Sequence, residues 1–390
     1  MSDTWQAELA EAFTRLDDLL DFLGLERAGL PVSDEAATAF RLKVPRAYAA
    51  RMKPGDPDDP LLLQVLPLKH ELEDTPGYRM DPVGDLAAVI HEAGVLQKYQ
   101  GRVLMITTGA CAVHCRYCFR RHFPYSDHAL SKRREQEALD HIAGNPDIRE
   151  VIMSGGDPWV LTDAQFAARV RAISQIPQVV RLRLHTRLPV VLPARVTGEL
   201  LETLQDTRLE VVVVIHANHP RELDAVTAVA LKRLARAGCH LLNQSVLLKG
   251  INDCPDTLVS LSETLFGQGV MPYYLHLLDR ATGTAHFEVG LERALGLMHE
   301  LRCRLPGYLV PRLVREESGQ PFKTPFDSVA YPVPPLRVPS PKSHIQDSMR
   351  PVTTGTRETV RGASPTVTEG EMLTAGTGKG TGAVAPTSLE

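Results

Sequence analysis

The chain has 390 residues, 43% hydrophobic and 23% charged, an ordinary globular composition long enough for one α/β-barrel-sized domain with extensions. A net charge of −4 leaves no basic surplus, so no nucleic-acid partner is expected. The acidic start, MSDTWQAELAEAF, lacks an apolar signal core, and apolar runs such as Val211 to Ile215 are far too short to span a bilayer, so a cytoplasmic protein without a membrane partner is expected.

Residues 5–23 carry Leu9, Phe13, Leu16, Leu20 and Phe22 at helical spacing and predict one amphipathic helix. A proline-rich, irregular stretch follows through Pro67, with PGDPDDP as a turn cluster. A helix is predicted over 82–93. The centre is regular. Short β-rich runs fall at 103–107, 150–153, 180–185, 209–216, 240–247 and 272–277. Helical patterns lie between them at 132–143, 163–175, 198–205, 221–237 and 256–266. After the first pair, the strand-to-strand step is roughly 30 residues, the size of a βα unit. A further helix is predicted over 291–305, and the apolar run 308–314 offers one more strand. Six strands with helices between them imply an α/β fold with a parallel sheet, doubly wound or curled into a barrel. From about Pro332 proline, threonine, glycine and serine dominate, and residues 333–390 read as disordered.

Polar motifs fall at the ends of the predicted strands. ACAVHCRYCFRRHFPY follows the first and packs Cys111, Cys115 and Cys118 into eight positions. SGGD, from Ser154 through Gly155 and Gly156 to Asp157, ends the second. HTR, His185 to Arg187, ends the third, and HANHP, His216 to Pro220, the fourth. NQS, with Gln244 at its centre, lies within the fifth, and Asp279 follows the sixth. In a parallel βα barrel the strand C-termini share one rim, where active sites are built. Each motif alone has a plainer reading. SGGD can be a turn, a strand histidine a hydrogen-bonded core residue, and HANHP a helix start capped by Asn218 or His219 before Pro220. Their common location favours one shared site.

Cys239, Cys254 and Cys303 are scattered and read as buried thiols. The tight cluster has three readings. Cys111, Cys115 and Cys118 with His122 could bind zinc, with His114 and His128 also near. A disulfide is disfavoured in a reducing compartment. A four-iron cluster normally takes four thiolates, so three leave one iron open to a substrate or cofactor. The loop's place after a strand and the three-then-two spacing favour the open cluster.

Cys111-x3-Cys115-x2-Cys118, with Tyr117 ahead of the third cysteine, resembles the signature of the radical S-adenosylmethionine (SAM) enzymes. GRVLMITTGACAVHCRYCFRRHFPY, SGGDPWVL, HTRLPVVLPARV, HANHP, LNQSVLLKGIND, PYYLHLLD and GYLVPRL resemble the lysine 2,3-aminomutases. So does FRLKVPRAYAARMKPGDPDDPLLLQVLP, before the first predicted strand. The short branch associated with modification of elongation factor P is the best match. The resemblance covers roughly residues 35 to 330.

That resemblance implies a partial (βα)6 TIM-like radical SAM barrel over 96–331, an N-terminal helical or irregular extension over 1–95, and a low-complexity tail over 332–390. It implies a [4Fe-4S] cluster on Cys111, Cys115 and Cys118. SAM would lie against Ser154, Gly155, Gly156, Asp157, His216 and Gln244. Glycines let backbone approach, and an acceptor carboxylate suits an amine. A second cofactor is implied, pyridoxal 5'-phosphate (PLP), joined to Lys323 of GQPFKTP, because an amine alone forms an exchangeable imine. Lys98, Tyr99 and Arg102 would hold its phosphate. Free-lysine members carry arginine at the position of Lys98, so the planar fork is lost here. Arg120 would receive the carboxylate of a lysine substrate, and Asp279 and Glu316 its ε-ammonium. The implied reaction converts L-α-lysine to β-lysine, with an electron-donating reductase of flavodoxin or ferredoxin type and an indirect link to elongation factor P. A glutamate substrate would be repelled by Asp279 and Glu316. No cysteine follows Cys303, unlike the longer free-lysine enzymes, whose C-terminal extension carries metal-binding cysteines.

Overall fold

Ten strands form one sheet in sequence order in the structure, a computed structural model that describes residues 4–90, 95–125 and 132–326. They are β1 (Val89–Ile90), β2 (Val95–Leu96), β3 (Arg102–Thr108), β4 (Glu150–Gly155), β5 (Arg181–Thr186), β6 (Glu210–Ile215), β7 (His240–Val246), β8 (Met271–His276), β9 (Arg312–Arg315) and β10 (Thr324–Pro325). Strands β3 to β9 run parallel, and β1, β2 and β10 add antiparallel edges. Among the described residues no ladder joins β1 to β10, so the barrel stays open. The six predicted strands are β3 to β8, and the offered seventh is β9. Helices Lys132–Gly144, Asp163–Ser174, Gly198–Asp206, Ala225–Arg236, Pro255–Gly267 and Leu291–Arg304 occupy the connections.

Alternation decides which face carries chemistry. Val103, Met105, Val151, Met153, Leu182, Leu184, Val211 and Val213 point outward and pack with Phe166, Val170, Leu200, Leu204, Leu231 and Leu234 from the helices. Each such side chain contributes about 1.5–3 kcal/mol on burial. The intervening residues face the barrel interior. Register is pinned at the strand N-termini by alternating charge: Arg102 stands beside Glu150, Glu150 beside Arg181, and Arg181 beside Glu210. Arg181 Nε donates to Glu150 at 3.1 Å, and Arg183 also pairs with Glu150. A one-residue slip would break these pairs and turn the apolar row inward.

The N-terminal region departs from expectation. The single helix predicted over 5–23 is two, Thr4–Ala10 and Leu16–Leu23. Between them Phe13 exchanges backbone hydrogen bonds with Val44, at 2.8 and 2.9 Å, and this strand-like pairing overrides local helical preference. Leu19 and Leu23 are buried, whereas Phe22 is 45% exposed. The helix predicted over 82–93 is absent where described. The Asp81 carboxylate accepts from the backbone N–H groups of Asp85 and Leu86, a short 3-10 turn covers Leu86–Ala88, and the chain then enters β1. Residues 91–93 of that range lie outside the described residues. Cys239 is buried as expected, but Cys254 and Cys303 are exposed.

The chain divides into two compact units, 1–331 and 332–390, and every described residue lies in the first. The boundary expected at 95 falls inside that unit, where Leu61, Leu62 and Val65 share one core with the barrel helices. The disordered tail expected over 333–390, and His128, lie outside the described residues. No described helix is long and apolar enough to cross a membrane.

Candidate active site

All sixteen residues that the resemblance points to line one cavity of about 550 Å³ at the C-terminal ends of the parallel strands. The cysteine loop forms one wall. It leaves β3 and folds across the end of β4, where the backbone N–H of Gly156 donates to the Thr108 carbonyl at 2.7 Å and that of Asp157 to the Ala110 carbonyl at 2.8 Å. A Cβ on Gly156 would collide with the Ala110 backbone, and one on Gly155 would meet the Thr108 oxygen at 2.6 Å. Gly155 also sits at φ +117°, which disfavours other residues. The glycines thus admit the cysteine loop itself, not a ligand alone.

The extension holds the loop from the other side. The His114 N–H donates to the Lys43 carbonyl at 3.0 Å and the Arg116 N–H to the Gln64 carbonyl at 2.9 Å. Arg116 is fully buried and pairs with Glu71, which also accepts from Arg121 Nη2 at 2.7 Å. The basic run around the cysteines is therefore partly an internal anchor.

The three cysteines are free and half-buried. Burial and the neighbouring thiols push the Cys111 thiol well up, and burial with Cys115 pushes Cys118 up to about 11. Crowded thiols resist ionising together unless a metal centre supplies positive charge, so the set fits a cluster. Zinc fits less well. His122 Nε2 lies 3.1 Å from the Thr282 carbonyl and His114 Nδ1 2.6 Å from that of Arg41. Among the described residues no group of three histidines, cysteines or carboxylates could hold a single metal ion. An iron–sulfur cube spreads its thiolates over separate irons and needs no such convergence.

Across the cavity, the β9–β10 hairpin carries Glu316 and Lys323. Thr324 pairs with Arg315, which sets Lys323 opposite Glu316, and the two form an ion pair. Glu316 also accepts from the Tyr99 hydroxyl at 2.6 Å and lies 3.5 Å from Lys98 Nζ. Burial would push its carboxyl up; Lys323 and these donors outweigh it and hold it below the usual range. Arg102 stacks 4.4 Å over the Tyr99 ring. Asp279 is different: its Oδ1 is buried without a hydrogen-bond partner, and burial raises its carboxyl to about 7.

Comparison with known proteins agrees with this geometry. The family profile described as the Radical SAM superfamily matches residues 105–261, from β3 into the helix before β8. L-lysine 2,3-aminomutase of Escherichia coli (strain K12) is 44% identical, over 83% of this chain and 95% of that one. L-lysine 2,3-aminomutase of Clostridium subterminale is 31% identical, over 82% of this chain and 77% of that one. Glutamate 2,3-aminomutase of Clostridioides difficile (strain 630) is 32% identical, over 83% and 75%. The chain belongs to the radical SAM lysine 2,3-aminomutase family.

In this family member the cavity is also lined by residues that sequence motifs did not reveal. Asp85, 2% exposed, bridges Lys98 Nζ and Arg120 Nε, each at 2.6 Å. Burial alone would raise its carboxyl; Arg120 and Lys98 outweigh it and hold it at about 2. Arg120 and Lys98 are thus paired with one of the chain's own carboxylates. The Asp157 carboxylate, read as an acceptor for an amine, takes donors from the chain itself: Thr186 Oγ1 and the Arg187 N–H at 2.7 Å, and the Trp159 N–H at 3.0 Å. Burial nevertheless raises it to about 6. His219 does cap the turn at Pro220, its Nδ1 accepting from Arg221 N–H, and Asn218 instead bonds Gln64 and Tyr117.

Three histidines, His185 on β5, His216 just past β6 and His276 on β8, face the cavity in this aminomutase-family site. Burial lowers His216 to about 4 and His185 and His276 well below their ordinary range, so all are neutral at neutral pH. Gln244 Nε2, His185 Nε2, His276 Nε2 and Asp279 Oδ1 are buried cavity-lining atoms without partners among the described residues. Buried polar atoms are rarely left unpaired, so this lining fits polar ligands of the SAM and PLP class.

Proposed function

We propose that this chain converts L-α-lysine to β-lysine by moving the amino group from carbon 2 to carbon 3. One observation carries the reading: three loop cysteines, Lys323 and two carboxylates line a single cavity. Bound there, a [4Fe-4S] cluster with SAM supplies a hydrogen-abstracting carbon radical, and PLP supplies a carbonyl that takes up an amine and delocalises an unpaired electron. The chain's own work is binding and orientation. Cys111, Cys115 and Cys118 would hold the cluster; Ser154 to Asp157, His216 and Gln244 would line SAM. Lys98, Tyr99 and Arg102 would hold the phosphate, and Lys323 the PLP carbonyl. Glu316 forms an ion pair with Lys323. Arg120, steadied by Asp85, would orient the substrate carboxylate. Asp279, free of partners, would meet the ε-ammonium, whose charge favours ionisation of that acid. Neutral histidines add hydrogen-bonding atoms without repelling that cation.

Two carboxylates beside Lys323 favour a cationic side chain over glutamate. Full-length protein reconstituted without oxygen, given reductant, SAM, PLP and L-lysine, yields β-lysine by mass spectrometry; L-glutamate yields no β-amino acid. Protein with intact cluster and PLP that makes no β-lysine refutes the reading. From the sequence resemblance we also take a flavodoxin- or ferredoxin-type electron donor, a cytoplasmic setting, and use of the product in modifying elongation factor P.

A further inference from the structure

Arg187 is a buried charge that the reaction outlined above leaves without a part. It follows β5 and is 6% exposed. Its Nη1 donates to the Cys115 sulfur at 2.7 Å. Its Nη2 donates to Gln64 Oε1 at 2.7 Å, Glu222 Oε2 at 2.9 Å and the Tyr48 hydroxyl at 3.3 Å. Its backbone N–H is fixed on Asp157 at 2.7 Å. Glu222 is fully buried and is itself held, its Oε1 accepting from Gln64 Nε2 at 3.0 Å and from the backbone N–H groups of Asn218 and His219. Three distant parts of the chain, the extension, the end of β5 and the turn after β6, therefore converge to aim one guanidinium at one cysteine.

Such a contact has a known physical consequence. Donors to cysteine sulfurs, net charge and solvent exposure are the protein's levers on the potential of an iron–sulfur centre. A charged N–H donor withdraws electron density from the thiolate, and it favours the reduced cluster, which carries one more negative charge. Glu222 balances the guanidinium, so the effect at the cluster is a directed hydrogen bond rather than a net positive field. Fixing that bond from three sides keeps it from relaxing away when the electron arrives.

We propose that Arg187 raises the reduction potential of the cluster through its hydrogen bond to Cys115, with Glu222 and Gln64 as the residues that hold it in place. This rests on the reading of the three cysteines as cluster ligands. Arg187 touches a ligand and no substrate, so it is a positioning residue, and its signature is a potential rather than a rate.

The test uses the full chain, reconstituted anaerobically with iron and sulfide, assayed for both per chain, and titrated potentiometrically with detection by electron paramagnetic resonance. Arg187→Gln lowers the reduced-to-oxidised ratio at fixed potential about tenfold, a midpoint about 59 mV more negative for a one-electron couple. Arg187→Lys keeps the charge but loses the fork and falls between. A cluster-bearing Arg187→Gln protein with the wild-type midpoint overturns the proposal. Should that variant assemble no cluster, an unchanged midpoint in Arg187→Lys overturns it equally. A wild-type chain that takes up no iron and sulfide sinks the cluster reading instead, so the two failures are distinct.

Discussion

Asp85→Asn removes the anion that Lys98 and Arg120 share and leaves two cations in a recess where the carboxylate was 4% exposed. The carboxyl sits at about 2 rather than its ordinary 3.8. A gap of nearly two pH units, at about 1.36 kcal/mol per unit, is about 2 kcal/mol of net stabilisation of the charged form. Losing one partner of a buried pair costs about 3–5 kcal/mol in general, so about 2–4 kcal/mol is expected here. Because the folded value is depressed, the contribution is complete above pH 4 and is lost only as pH falls toward 2. The difference between wild type and variant should therefore be flat from pH 5 to 8. Urea unfolding of the full chain measures it as a drop in midpoint at equal slope. A difference below about 0.5 kcal/mol, or one that fades between pH 5 and 8, would refute the account of Asp85 as the shared anion.

Three further outcomes follow from the same geometry. Gly156→Ala drives a Cβ into the Ala110 backbone and displaces the cysteine loop, so iron bound per chain falls while circular dichroism stays near wild type. Asp279 is neutral below its raised value of about 7, so KM for lysine should fall as pH rises through 7. In Asp279→Asn that pH dependence disappears and KM stays high; persistence of the wild-type profile would count against the assignment. Lys323→Ala should abolish β-lysine formation while leaving reductive cleavage of SAM intact, measured as release of 5'-deoxyadenosine. Loss of both would point to a disrupted fold rather than a missing amine.

The barrel was legible because its signal is local. Strands β3 to β8 are short runs with a polar motif at or near their C-terminal ends, and the strand ends needed no long-range knowledge to be grouped. The extension was not. Helical spacing over 5–23 was real, but Phe13 pairs with Val44, thirty-one positions away, and no turn residue marks the break. At 82–93 the decisive feature was Asp81 folding back onto Asp85 and Leu86, a side-chain cap with no apolar period. Missing that turn meant missing Asp85. Arg187 was in view within HTR, yet its partners Gln64 and Glu222 lie 123 and 35 positions away, so its contact with Cys115 was invisible before folding. Asp279 stood out by following the sixth strand, whereas Glu316 and Lys323 are legible through family likeness alone. Taken alone, a lysine past the last helix reads as a surface residue.

The hairpin that carries Lys323 is a thin edge of the sheet: β10 holds to β9 through two paired residues. A seven-residue interior strand such as β3 or β7 can separate only with the whole barrel. β10 can peel off alone, at the low end of the local opening energies found within one molecule. Amide exchange at Thr324 should be among the fastest in the sheet, and it should slow when Lys323 is tethered from inside the cavity. The residue proposed to make the covalent link would then double as the rivet that fastens its own strand.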